Sequence, residues 1–171
     1  MSVDSYNLFV ATLALFALLG AFVLVLPPVR RRLAEAGFGE MASWLALLVA
    51  LVATLGSLTY SEVVGFEPCR LCWYQRIAMY PLVPVIAVGA ITRDPNLRRY
   101  VLPLSLIGAV ISTYHYLIEW FPQLEGNACS ATVPCSVRVV EVFGFVSIPF
   151  MALCGFLAIS ALVGLYARRT S

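Results

Sequence analysis

At 171 residues, 61% of them apolar and 12% charged, with a mean hydropathy of +0.92, the chain is far more apolar than a soluble domain, in which about half the residues are apolar. Its eleven basic residues, all arginine, exceed the nine acidic ones by a net charge of only +2. That charge is too small and too dispersed to form a nucleic-acid-binding surface, so nucleic acid is excluded as a partner and a lipid bilayer takes its place.

A bilayer's hydrocarbon core needs about 20 apolar residues in helical form. Five stretches meet or approach that length, at residues 8–26, 41–64, 77–92, 100–120 and 142–167. They define an all-α integral membrane protein with five spans. The first resembles a secretory signal in position, but no basic residue precedes it. Pro27, Pro28 and three arginines follow it in place of a small-residue cleavage site, so it reads as a retained helix. The third is short unless Trp73 and Tyr74 extend it into the interface that aromatic rings favour. Pro81 and Pro84 within it predict a kink. Gly56, Ser57, Gly108 and Gly155 suit close helix contacts.

Short loops rich in arginine stay cytoplasmic. Arg30, Arg31 and Arg32 follow the first span, Arg93, Arg98 and Arg99 separate the third and fourth, and Arg168 and Arg169 end the chain. Only Arg70, Arg76 and Arg138 fall at the other ends of the spans. The N-terminus is therefore expected outside and the C-terminus inside, consistent with an odd number of crossings.

That orientation puts Cys69, Cys72, Cys129 and Cys135 in the two outside segments, where thiols form lasting disulfides. Cys69-Arg70-Leu71-Cys72 is a CxxC with Pro68 before it and Trp73-Tyr74-Gln75-Arg76 after it. Such a pair can cycle between dithiol and disulfide, and a nearby cation favours the reactive thiolate. If a helix starts near Cys72, Arg76 lies one turn further on the same face. A bare CxxC serves equally as half of a zinc site, with Cys129 and Cys135 as the other ligands. Their five-residue separation is wide for zinc, and both pairs abut membrane helices. Two static disulfides are a further alternative. Residues 127–135 form a short, polar, Pro-containing loop, in which two cysteines can meet if the chain turns. Exchange between the two pairs would then move electrons with no metal.

The string Cys69-Arg70-Leu71-Cys72-Trp73-Tyr74-Gln75-Arg76-Ile77 and Met79-Tyr80-Pro81 resembles the disulfide bond formation protein B (DsbB) family, in its BdbC-type branch. Tyr114-His115-Tyr116, Phe143-Gly144-Phe145 and Ser147-Ile148-Pro149-Phe150 add to the likeness. It covers about residues 41–167 and implies a four-helix redox core (41–171), preceded by an N-terminal helix and cytoplasmic loop (1–40) that are extra to the common pattern. The resemblance implies a protein-dithiol:quinone oxidoreductase of the bacterial cytoplasmic membrane. It would reoxidise a DsbA-like thioredoxin-fold thiol oxidase on the outer face and reduce ubiquinone or menaquinone from the membrane quinone pool, supporting disulfide formation in secreted proteins. By the same analogy the partner attacks Cys129, Cys135 passes the oxidising equivalent inward through a transient bond to Cys69, and Cys72 faces the quinone. The second pair departs from the enterobacterial form, where a much longer loop separates it.

On this reading Arg76 stabilises negative charge on Cys72 and on the reduced quinone oxygen; its bland alternative is an interfacial arginine reaching headgroups. His115, the only histidine, would hydrogen-bond a quinone carbonyl or deliver protons, or else merely anchor its helix. Glu62, Glu67, Glu119 and Glu125 read as solvated charges without a task. Cys154, deep in the last span, reads as inert packing. A transporter would need ionisable or broken-helix features near the bilayer centre, and the first, second, third and fifth spans carry no charge there. A non-catalytic scaffold locked by two disulfides would resist mild reduction.

Overall fold

The computed structural model describes residues 3–126, 128–129 and 132–166. Arg168 and Arg169 of the charge argument, and Asn127, Ser130 and Ala131 of the second cysteine segment, lie outside the described residues. Among the described residues there are seven α-helices, six of which build five segments long and apolar enough to span a membrane.

Helix α1 (Val3–Val25) is apolar on all sides and buries only Ala11, Ala14 and Ala21, a small-residue stripe that lets it lie close along the last helix. Pro27 and Pro28 open the amphipathic α2 (Pro27–Glu35), at positions where the missing N–H has no helical partner anyway. There Arg30 Nη2 donates to the Gly164 carbonyl at 3.0 Å, tying α2 to the C-terminal end of the last helix. Gly37, at φ 76°, turns the chain back. Helix α3 (Gly39–Leu58) continues as a π-helical turn, Thr59–Val63.

The third span is longer than expected, running Arg70–Thr92. It is divided into α4 (Arg70–Met79) and α5 (Leu82–Thr92), as the prolines foretold: Pro81 has no N–H to continue the ladder, and the chain restarts from it. Arg93 ends α5 in the left-handed conformation, φ 53°. Helix α6 (Leu97–Trp120) crosses next.

The last span, α7 (Ile148–Tyr166), begins later than residue 142. Val142 and Val146 instead close an isolated antiparallel bridge, with Phe143 and Gly144 at positive φ. That tight turn is incompatible with helix, and Tyr116 donates its hydroxyl to the Phe145 carbonyl at 2.9 Å to hold it.

Helix α7 is the centre of the bundle, packed by α1, α3 and α6. Phe156 is fully buried against Gly108, where any Cβ would collide with its ring. Ser105 and Ser160 hydrogen-bond across α6 and α7 at 2.8 Å, satisfying both hydroxyls away from water. The up-and-down course gathers the cysteine segments at one end and Arg30–32, Arg93, Arg98 and Arg99 at the other.

Candidate redox site

The CxxC sits where an extended segment becomes a helix. Pro68 keeps the residue before it extended. Cys69, itself extended (ψ 171°), caps α4 by accepting the Cys72 N–H on its sulfur at 3.3 Å. The two Sγ atoms lie 2.9 Å apart, so a small side-chain rotation brings them to the roughly 2.05 Å of a covalent bond. The Cys72 thiol donates to Cys69 sulfur and pulls the Cys69 pKa well below the ordinary thiol range; burial opposes this, while His115 and the Cys72 N–H add to it. The anion of the reduced pair therefore rests on Cys69, at a helix N-terminus that favours it.

His115, from α6, is buried. Its Nε2 lies 3.7 Å from Cys69 Sγ and 3.2 Å from the Cys135 carbonyl, and the Gln75 amide nitrogen lies 3.1 Å from its Nδ1. An amide N–H only donates, so Nδ1 accepts and the imidazole proton sits on Nε2, directed at the sulfur and the carbonyl. His115 thus lies between the two cysteine segments and is not among the lining residues of the cavity described below.

Cys129 and Cys135 are joined by a disulfide, with Cα atoms 5.9 Å apart. Cys135 is buried and Cys129 half-buried. Glu125 accepts the Cys135 N–H at 2.7 Å within the second loop, and Arg70 donates to the Ala128 carbonyl at 3.3 Å, joining that loop to the CxxC segment. Cys69 and Cys135 share one small buried cluster with Leu71 and Ile118. This disulfide withdraws two of the four thiolates that a zinc site would require; Cys69, Cys72 and His115 still bring three donor atoms within 4.8 Å of one another.

On the other side of the CxxC a cavity of about 310 Å³ opens, at the lower end of the size range of ligand pockets. Ser57, Glu67, Cys72, Gln75 and Arg76 form its polar end; Val49, Val52, Met79, Met151 and Phe156 line its apolar body. Cys72 and Arg76 share this wall, as their one-turn spacing foretold. Arg76 donates through Nε to Ser57 Oγ at 3.0 Å and through Nη2 to the Ser57 carbonyl at 3.2 Å, and Tyr80 also donates to Ser57 Oγ. The guanidinium is thereby held in place before any ligand arrives.

Four residues escaped the sequence reading. Ser57, taken only as a small packing residue, orients Arg76. Gln75 sets the His115 tautomer; a buried amide inside an apolar span is the signal that pointed to it. Glu125 anchors Cys135. Glu119, taken for a solvated charge, is buried one turn from His115, with Arg138 Nε 4.0 Å away. Arg138 stacks on Trp120, 3.8 Å from its ring centroid, and donates to the Glu119 carbonyl at 3.4 Å. Cys154 is fully buried where α1 meets α7, in a cluster separate from that of Cys69 and Cys135, as expected of a packing thiol.

The family model "Disulfide bond formation protein DsbB" matches residues 39–166. The chain belongs to the DsbB family. It is 49% identical over 119 residues to "Disulfide bond formation protein C" of Bacillus subtilis, covering 69% of this chain and 84% of the relative. Over 115 residues it is 52% identical to "Probable disulfide formation protein" of Oceanobacillus iheyensis, covering 66% and 79% respectively. No solved structure matches it significantly. As a DsbB-family protein it is a membrane oxidoreductase of disulfide formation, and the family match begins after α1 and α2.

Proposed function

We propose that this chain reoxidises an extracytoplasmic thioredoxin-fold thiol oxidase and delivers the electrons to a membrane quinone. One observation carries the reading: the CxxC has two faces, Cys69 toward His115 and the Cys129–Cys135 loop, and Cys72 toward a cavity headed by Arg76. The arginine distribution supports a cysteine end outside the cytoplasmic membrane, with the N-terminus on that side and the C-terminus in the cytoplasm.

In the proposed cycle a partner thiolate attacks Cys129, the more accessible sulfur of the outer disulfide, and Cys135 leaves as thiolate. Cys135 attacks Cys69 of an oxidised inner pair, and Cys72 leaves. The partner's second thiolate displaces Cys129, and Cys129 recovers Cys135 from Cys69. The outer disulfide is restored, the partner is oxidised, and two electrons rest on Cys69 and Cys72. The His115 Nε2–H stabilises the negative charge that Cys69 acquires when Cys135 leaves it.

The cavity fits a quinone: the Arg76 guanidinium supplies donors for a carbonyl oxygen, Cys72 sulfur lies beside it, and the remaining walls are apolar. When bound, a quinone accepts two electrons and two protons as the Cys69–Cys72 disulfide re-forms. Arg76 holds positive charge where that oxygen would gain electrons, and the apolar walls exclude water from it.

Purified protein mixed with a reduced thioredoxin-fold oxidase and a soluble quinone analogue tests this. Quinone loss matched by partner oxidation is expected; no turnover with all four cysteines intact overturns it.

A further inference from the structure

The cavity is not made by the family core alone. Val10, Leu13, Ala14 and Ala17 of α1 form one of its walls, and α1 lies before the family match at residues 39–166. These four residues fall at i, i+3, i+4 and i+7, one face of a helix. We infer that α1 is part of the quinone site and supplies the wall along which the isoprenoid tail lies. This rests on the cavity being the quinone site.

The anchoring of α1 supports that use. Its main packing partner is α7, and polar and aromatic contacts join it to the α3 side at the outer end. There Tyr60 donates to Asn7 Oδ1 at 2.8 Å, Tyr6 meets the Tyr60 ring edge-on at 5.4 Å, and the Tyr6 hydroxyl comes up to Gly56. Deeper in the bilayer, α1 and α3 face each other across the cavity. Leu13 of α1 and Leu48 and Val52 of α3 line it and are exposed at 37%, 55% and 41%. In a membrane those exposed edges meet acyl chains, so the slot opens sideways into lipid.

The occupant follows from the gradient along the slot. Its polar end, at Cys72 and Arg76, suits a carbonyl-bearing ring. Its apolar remainder, open to lipid, suits a long hydrocarbon chain attached to that ring and arriving from the bilayer. The wall is kept wide by Ala14 and Ala17 on α1, where a larger side chain would occupy the slot, and Gly155 of α7, which also lines it, adds no side chain. Tail recognition by α1 is thus a matter of side-chain volume.

Full-length protein in proteoliposomes, illuminated with a quinone carrying a photoreactive group on its tail, provides the test. Label recovered in the segment containing residues 10–17 is expected. Ala17→Phe should raise the KM for a tailed quinone about tenfold, the effect of losing about 1.4 kcal/mol of tail contact. The same change should leave the KM for a tailless analogue and the rate of partner disulfide exchange as they were. Phe16→Ala, on the lipid-facing side at 66% exposure, is the control without effect. If Ala17→Phe fails to fold, Ala17→Leu and wild-type labelling decide the matter. Label confined to α3 and α4 near Cys72 and Arg76, with an unchanged KM in the Ala17 variant, overturns the role of α1 and leaves the cavity as the quinone site. Label at neither place overturns the cavity reading itself.

Discussion

Gln75→Leu tests the hydrogen-bond chain from Gln75 through His115 to Cys69. Leucine keeps nearly the same volume at a position only 5% exposed but removes the amide that donates to His115 Nδ1 across 3.1 Å. Nδ1 then either remains a buried acceptor without a partner or takes the proton from Nε2, leaving Cys69 sulfur without its donor. A hydrogen bond to a charged group contributes about 1.5–3 kcal/mol. The Nε2–Sγ distance of 3.7 Å, shared with the Cys135 carbonyl at 3.2 Å, puts this one at the low end. That corresponds to a rise of about one unit in the Cys69 pKa. The assay is the ultraviolet absorbance of the thiolate against pH, in protein carrying Cys129→Ser and Cys135→Ser so that the inner pair dominates the titration. Thermal unfolding should show a loss of about 1–3 kcal/mol from the unpaired acceptor. A titration midpoint that stays in place would refute the reasoning, because it would mean that His115 does not act on Cys69.

Because the Cys69 pKa is lowered, its anion should persist as pH falls through the ordinary thiol value of about 8.5 and protonate only near the lowered one. In the reduced protein the associated stability is fully present above the ordinary value and lost as pH falls through the lowered one; alkylation of Cys69 against pH and unfolding of the reduced form check both. Arg76→Ala should slow quinone reduction about 100-fold, the cost of removing one preorganised donor from a developing oxyanion, while mixed-disulfide exchange with the partner proceeds at the wild-type rate; stopped-flow measurement of each half-reaction separates them. Arg138→Ala leaves Glu119 buried without its counter-charge and should cost about 3 kcal/mol, with the double change Glu119→Leu and Arg138→Leu recovering most of it; a double-mutant cycle on Tm measures this. Cys154→Ser should retain quinone turnover, and its loss in well-expressed protein would require a fifth cysteine in the redox scheme.

Five spans, two cysteine pairs at one end and the arginines of residues 30–32, Arg93, Arg98 and Arg99 at the other were legible along the chain, because each depends on local composition or on hydrophobic length. The broken third span was legible too, since Pro81 removes a donor wherever it sits. The start of the last span was not: Val142 to Ser147 is apolar enough for a helix, and only the bridge between Val142 and Val146 shows that it turns instead. Cys69 and Cys72 by spacing alone suited zinc as well as redox chemistry, and it was the second cysteine pair, with Arg76 one turn after Cys72, that favoured redox. What the chain order could not express is which side of the CxxC each helper occupies. His115 is 46 residues from Cys69 and reaches it only because α6 packs against α4. Glu119 looks like a surface charge until Arg138, 19 residues on, folds back over it. Likewise α1 reads as an appendage until its alanine face closes the cavity beside Cys72. Periodicity and motif spacing act within a few turns of one helix, so the sequence determined the spans and the placement of the cysteine pairs at their ends; distances between helices, and with them the two sides of the CxxC, were decided by packing around α7.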